Sequence, residues 1–338
     1  MKLVLLSGGS GRRLWPFSNN TRSKQFLKFL EVGSGEKKSM LQRVWSQLES
    51  VNLTESTVIA TSKIQCDMIY NQIGGDVPLV IEPERRDTFP AIALAASYLY
   101  SVEKVSLNEV ITVIPVDPYV DNTFFNKIKE FESLFSTTDA ELALIGVKPT
   151  YPSTKYGYIV PENQNNDKQY MSVKYFVEKP SEVKAQELID QNALWNCGVF
   201  AFRLSYLIDI IQKLQLPTQF EELYSVYQNL PKNSFDYEVV EKAKRIVALS
   251  YEGYWKDLGT WETLTQEMTT NQIGKGMIDD SSINTHLVNE LDIPVTIIGV
   301  KDIIVAASSE GILVADKASS SKIKEFINNV KQPPMYEE

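Results

Sequence analysis

Four clusters in this 338-residue chain combine residue types and spacings that can handle phosphate. The first follows the opening apolar run: Leu6, Ser7, Gly8, Gly9 and Gly11, then Arg12 and Arg13, with Lys24 about ten residues on. Glycine reaches backbone angles closed to other residues and lets main-chain amides approach a ligand. Successive amides turned to one side make a concavity for phosphate oxygens, and arginine adds planar paired donors. The loop therefore suits a polyphosphate, against the plainer reading of a glycine-rich turn with solvated arginines. Two better-known phosphate loops are excluded by spacing. A G-x-G-x-x-G fingerprint would need glycine where Leu14 stands, and the P-loop pattern finds no Gly-Lys at the required distance.

The other three clusters are acidic or mixed. Asp117 closes the apolar run VITVIPV, and a carboxylate emerging from a buried strand can hold Mg²⁺ with water and phosphates completing the shell. The alternative is an aspartate that caps the next turn. Asp257 stands among Tyr254, Trp255 and Trp261 in GYWKDLGTW, as a second carboxylate or as a turn residue in a core segment. Glu178 and Lys179 precede Pro180, which halts a strand and presents both side chains at its end. The single histidine, His286, lies far from these clusters and reads as a surface or packing residue.

The elements that must position these residues alternate. Strand-like runs at Lys2–Leu6, Ser56–Thr61, Leu79–Glu82, Val110–Val116 and Leu142–Val147 are separated by helix-like segments at Met40–Leu48, Lys63–Ile73, Ala91–Tyr100 and Phe124–Phe135. This predicts an α/β fold, a Rossmann-like, mixed but mostly parallel sheet with helices on both faces and ligands at the carboxyl ends of the strands. Beyond about residue 270 come short β-rich stretches and a helical tail, giving an expected division into a catalytic domain at 1–270 and a small β-rich region at 271–338.

Composition narrows the partners. The net charge of −9 argues against nucleic acid, so an anionic ligand needs the local positive patch of the opening loop. Hydrophobic residues at 43% and charged residues at 23% are those of an ordinary globular chain. Two cysteines, Cys66 and Cys197, make neither a disulfide framework nor a metal quartet, which fits a reducing cytoplasm. No apolar run is long enough for a membrane span, and the start reads as a strand and not as a secretion signal.

GGSGRRL, WP and SKQFL, in this order, resemble the loop of the sugar-1-phosphate nucleotidyltransferases, and RLWPFS with KQFL is most similar to their mannose-1-phosphate guanylyltransferase branch. The resemblance implies Mg²⁺-assisted attack of mannose 1-phosphate on the α-phosphorus of GTP, giving GDP-mannose and pyrophosphate. It assigns Arg13 to the triphosphate, Lys24 to the α-phosphate, and Asp117 and Asp257 to the metal. VDPY departs from the family's P-A-D-H around the first aspartate. EKP places Lys179 on the sugar phosphate and Glu178 on a hydroxyl; WNCGVF brings Asn196 to the sugar, YGYI brings the Gly157 backbone, and SFDYEVVEKA adds Asp236, Glu241 and Lys242. EPERRDTFPAI supplies Glu82 and Arg86 for base or ribose, with Asp87 and Phe89 replacing the usual asparagine and alanine.

By the same resemblance the C-terminal part is left-handed β-helix-like, a homodimer is expected, and no fused isomerase domain is. Three alternatives stay open: another sugar 1-phosphate, of heptose or glucose type; another nucleoside triphosphate; and a catalytically silent subunit that only binds nucleotide sugar. Retention of the cations and both acids disfavours the last.

Overall fold

Aliphatic and β-branched runs at Lys2–Ser7 (β1), Thr57–Ser62 (β2), Leu79–Glu82 (β3) and Val110–Pro115 (β4) pair in parallel, in the order β3-β2-β1-β4. The computed structural model in which they are seen describes residues 1–9, 12–19, 22–32, 35–162 and 169–330. Such strands read as near-continuous apolar runs because both faces are covered. Val4, Ile111 and Val113 join a core cluster with Phe89, Ile92 and Leu94, whereas Leu5 and Ile114, on the other face, are equally buried.

Helix α1 is Met40–Ser50, α2 is Cys66–Ile73 and α3 is Thr88–Ser101. The apolar side of α3 lies in that cluster. Helix α4 (Thr123–Thr137) buries Phe124, Phe125, Ile128 and Phe131 outside it. None of the helices among the described residues is long and apolar enough to cross a membrane.

Five further strands complete the sheet: β5 (Leu142–Val147), β6 (Tyr158–Pro161), β7 (Met171–Val177), β8 (Leu194–Arg203) and β9 (Ile246–Tyr251). Among the described residues the full order is β3-β2-β1-β4-β8-β5-β9-β7-β6, with β6 also pairing with β8. The expectation of a mostly parallel sheet needs correction. The ten-residue β8 enters antiparallel between β4 and β5, and β7 is antiparallel to both β6 and β9. Among the described residues of this sheet, only β3-β2-β1-β4 and the β5–β9 pair are parallel. Burial pattern identifies a strand but carries no information about its direction, so these reversals were not visible in periodicity.

By its internal contacts the chain divides into two compact units, Met1–Gly8 with Trp45–Trp255, and Gly9–Val44 with Lys256–Glu338. The first holds the nine-stranded sheet. Residues 9–44 group with the C-terminal part.

The second unit is built on short strands β10 (Gln272–Ile273), β11 (Gly276–Ile278), β12 (His286–Asn289), β13 (Val295–Ile297), β14 (Ile303–Ser308) and β15 (Gly311–Asp316). Parallel ladders join β10 to β12, β12 to β14 and β11 to β13, so successive turns of chain stack around a small core of Leu287, Ile297 and Val305. Strand β15 turns back antiparallel on β14, and the Ile323–Val330 helix follows.

At the start of β15, Gly311 has φ +145°, and an added Cβ would lie 2.6 Å from Trp15 Cζ2. An L side chain is strained there and collides with a packed indole. Gly311→Ala should therefore lose on the order of 2 kcal/mol or more in urea unfolding, the combined cost of an incompatible backbone and overpacking. A loss under about 0.5 kcal/mol, the size of an ordinary surface change, would show that Trp15 yields freely.

Candidate functional site

In the first unit the strand order reverses direction of growth between β1 and β4, and ligands of open α/β sheets bind at the carboxyl ends on either side of such a reversal. Leu6 pairs with Pro115 across that junction, and the Val116 amide donates to Leu6 O at 3.1 Å. Gly8 and half-buried Asp117 each follow two residues after that paired couple. The carbonyl of Ser7 accepts from Thr61 Oγ1 at 3.1 Å, so β1 and β2 are locked together at their ends.

Glu82, the last residue of β3, faces this end. It is only 6% exposed, and a Cβ placed on Gly8 would sit 3.0 Å from its Oε1. Burial pushes its carboxyl up to about 7, against the opposing pull of Tyr227, whose hydroxyl donates to Oε2 at 2.8 Å. Nothing in the sequence around Tyr227 marks it as a partner, since it opens a short 3₁₀ turn, Tyr227–Asn229, 145 residues away.

Arg86 is held by Glu84 at 2.9 Å and by Leu230 O at 3.1 Å. Asp87 has φ +75° and accepts the Thr88 amide at 2.8 Å, capping α3. Asparagine performs that role as well, so the helix cap is kept at this position. Phe89 is fully buried in the core of the sheet.

The residues expected around a sugar phosphate converge from the strand β8, the ends of β6 and β7 and a short helix, Phe235–Glu238, of the same unit. Asn196 of β8 donates through Nδ2 to Asp236 Oδ1 at 2.9 Å, accepts the Gly198 amide at 3.0 Å, and donates its own amide to Gly157 O at 2.8 Å. Glu178, directly after β7, is 8% exposed; its amide donates to Glu241 Oε1 at 3.0 Å and its carboxylate accepts from Lys179 Nζ. Lys179 itself has φ +45°, a left-handed conformation uncommon outside glycine. Its amide donates to Tyr156 O at 3.2 Å. Gly157 fits because nothing larger does. A Cβ there would lie 2.3 Å from Phe176 Cζ and 2.6 Å from Glu178 Oε2.

Charge in this cluster is unbalanced. Burial pushes Glu178 up in spite of the adjacent ammonium, and pushes Asp236 up to about 7 with a further contribution from Glu178. Burial alone would lower Lys179, but the Glu178 carboxylate outweighs it and the net direction is upward. Lys242 pairs with Glu238 at 2.7 Å at the exposed side of its turn. Cys197 is buried and its thiol is raised well above the ordinary value by that burial, as befits a packing residue.

Asp121, which the sequence reading passed over, ties two motif segments of this unit together. It accepts the Thr123 amide at 2.8 Å and the Tyr254 amide at 2.9 Å, just ahead of the WKDLG motif. Burial opposes its ionisation, but hydrogen bonds from Thr123, Tyr251 and Tyr254 prevail and hold the carboxyl at about 2. The Asp-x-Thr spacing at the head of α4 was the available signal.

The second unit carries the cationic loop. Lys24 Nζ lies 3.3 Å from Asp257 Oδ1, with the side chains 17% and 33% exposed. Ser23 Oγ donates to Gly9 O at 2.6 Å, and Arg13 is exposed in a 3₁₀ turn, Arg12–Leu14. Gly11 lies outside the described residues. The loop is mounted on aromatic rings: Trp261 is fully buried, 5.8 Å from Phe17 and 5.9 Å from Phe29 by ring centroid, and donates Nε1–H to Trp15 O at 3.0 Å. Ser308 Oγ donates to Pro16 O at 3.0 Å, and the Trp15–Pro16 peptide is cis. Thr260 caps the short helix Trp261–Thr265 that follows the motif. In the same unit, burial and the nearby Lys317 ammonium lower His286 to about 4, so it is neutral at pH 7.

Residues 2–272 match the Nucleotidyl transferase family model, and the chain belongs to that family. Over 97% of its length it is 30% identical to a mannose-1-phosphate guanylyltransferase of Escherichia coli, covering 75% of that protein. It is 26% identical, again over 97%, to the alginate biosynthesis protein AlgA of Pseudomonas fluorescens, covering 71% of it. Among solved structures it is similar to one described as a mannose-1-phosphate geranyltransferase from Thermus thermophilus, with a TM-score of 0.81, 28% identity and coverage of 98% of this chain and 99% of the other. The fold is thus that of a nucleotidyltransferase, and the protein is an enzyme of that class.

Glu82 gives this arrangement a pH signature. A carboxyl whose pKa rises on folding from 4.5 to about 7 holds its proton more tightly in the folded chain. Its contribution is therefore favourable below about 4.5 and is lost as pH climbs through 7. Glu82→Gln keeps an acceptor for Tyr227 and removes the charge. Its stability relative to wild type in urea should improve by about 2–3 kcal/mol between pH 4.5 and pH 8. A pH-independent difference would exclude a buried, proton-holding Glu82.

Proposed function

We propose that the enzyme transfers GMP from GTP to mannose 1-phosphate, forming GDP-mannose and releasing pyrophosphate. The observation that carries the sugar-phosphate end is the convergence of Gly157, Glu178, Lys179, Asn196 and Asp236 from separate segments, a strand, two strand ends and a short helix, into one polar cluster. An ammonium for a phosphate beside carboxylates and an amide for hydroxyls is the donor and acceptor set such a substrate needs. The names of the similar proteins support mannose and guanine.

The reaction brings two anions together, so positioning and positive charge supply its catalysis and no nucleophilic side chain is required. We assign Arg13 and Lys24 to the phosphates of the nucleotide, with the amides after Leu6 and Ser7 at Gly8, Gly9 and Gly11, and Glu82 with Arg86 to base or ribose. Lys179 receives the phosphate of the sugar, while Glu178, Asp236 and Asn196 orient its hydroxyls. Asp117 and Asp257 are assigned to Mg²⁺, which when bound neutralises charge across the phosphates. Their hard carboxylate oxygens fit that ion, and Asp257, a third exposed and beside an ammonium, can exchange one cation for another. We take residues 1–270 as the catalytic part and the stacked coils beyond it as left-handed.

Two measurements test this reading. Asp117→Ala and Asp257→Ala should each lower pyrophosphate release from GTP and mannose 1-phosphate at least ~10³-fold while leaving the unfolding midpoint within the range of surface changes. Near-normal turnover of either variant would remove the metal assignment. A panel of GTP, dTTP, UTP and CTP against mannose, glucose and heptose 1-phosphates should give its highest kcat/KM for GTP with mannose 1-phosphate.

A further inference from the structure

We infer that Glu290, in the C-terminal β part, is a positioning residue for Lys24 and acts through Arg22; this rests on the reading of the amino-terminal loop as the nucleotide phosphate site. Arg22 and Glu290 form a two-pronged pair, with Nη1 to Oε2 at 3.0 Å and Nη2 to Oε1 at 2.8 Å. Two parallel bonds fix the direction of the guanidinium as well as its distance, which a single contact does not.

Both ends of the pair are braced. Glu290 follows β12 and its amide donates to Ala307 O at 2.9 Å. The preceding Asn289 donates to Lys275 O at 2.7 Å and Ile293 O at 2.8 Å, and accepts the Leu291 amide at 2.9 Å. On the loop side the Arg22 amide donates to Asn19 Oδ1 at 2.7 Å, and Arg22 O accepts the Asn19 amide at 3.0 Å.

Lys24 is two residues from Arg22, a span of at most about 7 Å of chain, so fixing Arg22 confines the backbone of Lys24 to that reach. Between them Ser23 is bonded to Gly9 O, and Lys24 reaches Asp257. The Arg22 and Glu290 side chains are 37% and 40% exposed, and half-exposed ion pairs contribute little to global stability. The pair's consequence is geometric: it fixes where the loop's catalytic cation is held. The C-terminal coils are thereby part of the catalytic apparatus and not an appendage.

Glu290→Ala, Arg22→Glu and the charge swap Arg22→Glu/Glu290→Arg test the assignment in the full-length protein. Two readouts are taken: steady-state kinetics with GTP, mannose 1-phosphate and Mg²⁺, and hydrogen exchange at the Phe26 and Leu27 amides, which close the turn around Lys24. Each single variant should lower kcat/KM about 5- to 10-fold, mainly in kcat, and speed exchange at both amides, with the unfolding midpoint unchanged. The swap should restore both readouts to within about threefold of wild type.

Wild-type kinetics or wild-type exchange in Glu290→Ala would overturn the inference, as would a swap that restores neither. If the wild-type protein itself turns over none of the substrates, the proposed function fails. The exchange data then decide by themselves whether Glu290 holds the loop.

Discussion

Ionisable groups at the ends of strands buried on both faces have to be kept hydrated, paired or protonated, and this constraint organises the molecule. Where water is excluded, a carboxyl either finds a donor or keeps its proton. Glu82 does both, bonded to Tyr227 and raised to about 7. Asp121 finds enough donors to stay ionised, at about 2. Glu178 and Asp236 share the field of the Lys179 ammonium, and burial raises both, so they cannot both be charged at little cost. A substrate that brings hydroxyl donors and a phosphate would complete this cluster from outside, which is how a preorganised polar site differs from a structural ion pair.

The cationic loop meets a related constraint. A segment rich in glycine and arginine has little capacity to hold itself in one conformation, since glycine loses the most freedom on ordering and arginine side chains prefer water. Its order comes from neighbours with large apolar surface: Phe17, Phe29 and Trp261 meet edge to face or tilted, Trp15 lies against Gly311, and Ser308 satisfies the Pro16 carbonyl. The chemically useful residues are N-terminal, whereas part of their bracing, from Trp261, Ser308 and Gly311, comes from the other end of the chain.

Much of this was legible beforehand, and what was not has identifiable causes. Strands β1, β3 and β5 and the position of Asp117 beyond β4 follow from apolar runs punctuated by glycine, proline and aspartate, because burial and backbone freedom act locally. Helix α3 starts three residues earlier than its periodic stretch, at Thr88, because Asp87 provides a cap that hydrophobicity does not register. The antiparallel entry of β8 is decided by which strand edges remain to be paired once β4 is placed. Tyr227 and Glu290 were missed because a tyrosine or glutamate in a connecting segment looks the same whether or not it meets a distant partner. Asp87 caps a helix and Phe89 fills a core, roles that a comparison of residue types alone does not reveal.

By itself the sequence determined the residue types available for phosphate chemistry, their order and the class of element most of them sit on or beside. These depend on near-neighbour patterns, in which side-chain period, turn residues and charge are all local quantities. Only the tertiary structure decided which groups meet: Asn196 with Asp236, Glu82 with Gly8 and Tyr227, Lys24 with Asp257, Arg22 with Glu290. It likewise decided how protonated the buried acids are, because a pKa depends on distances to groups far along the chain and on the water that packing removes, and neither is written in local order.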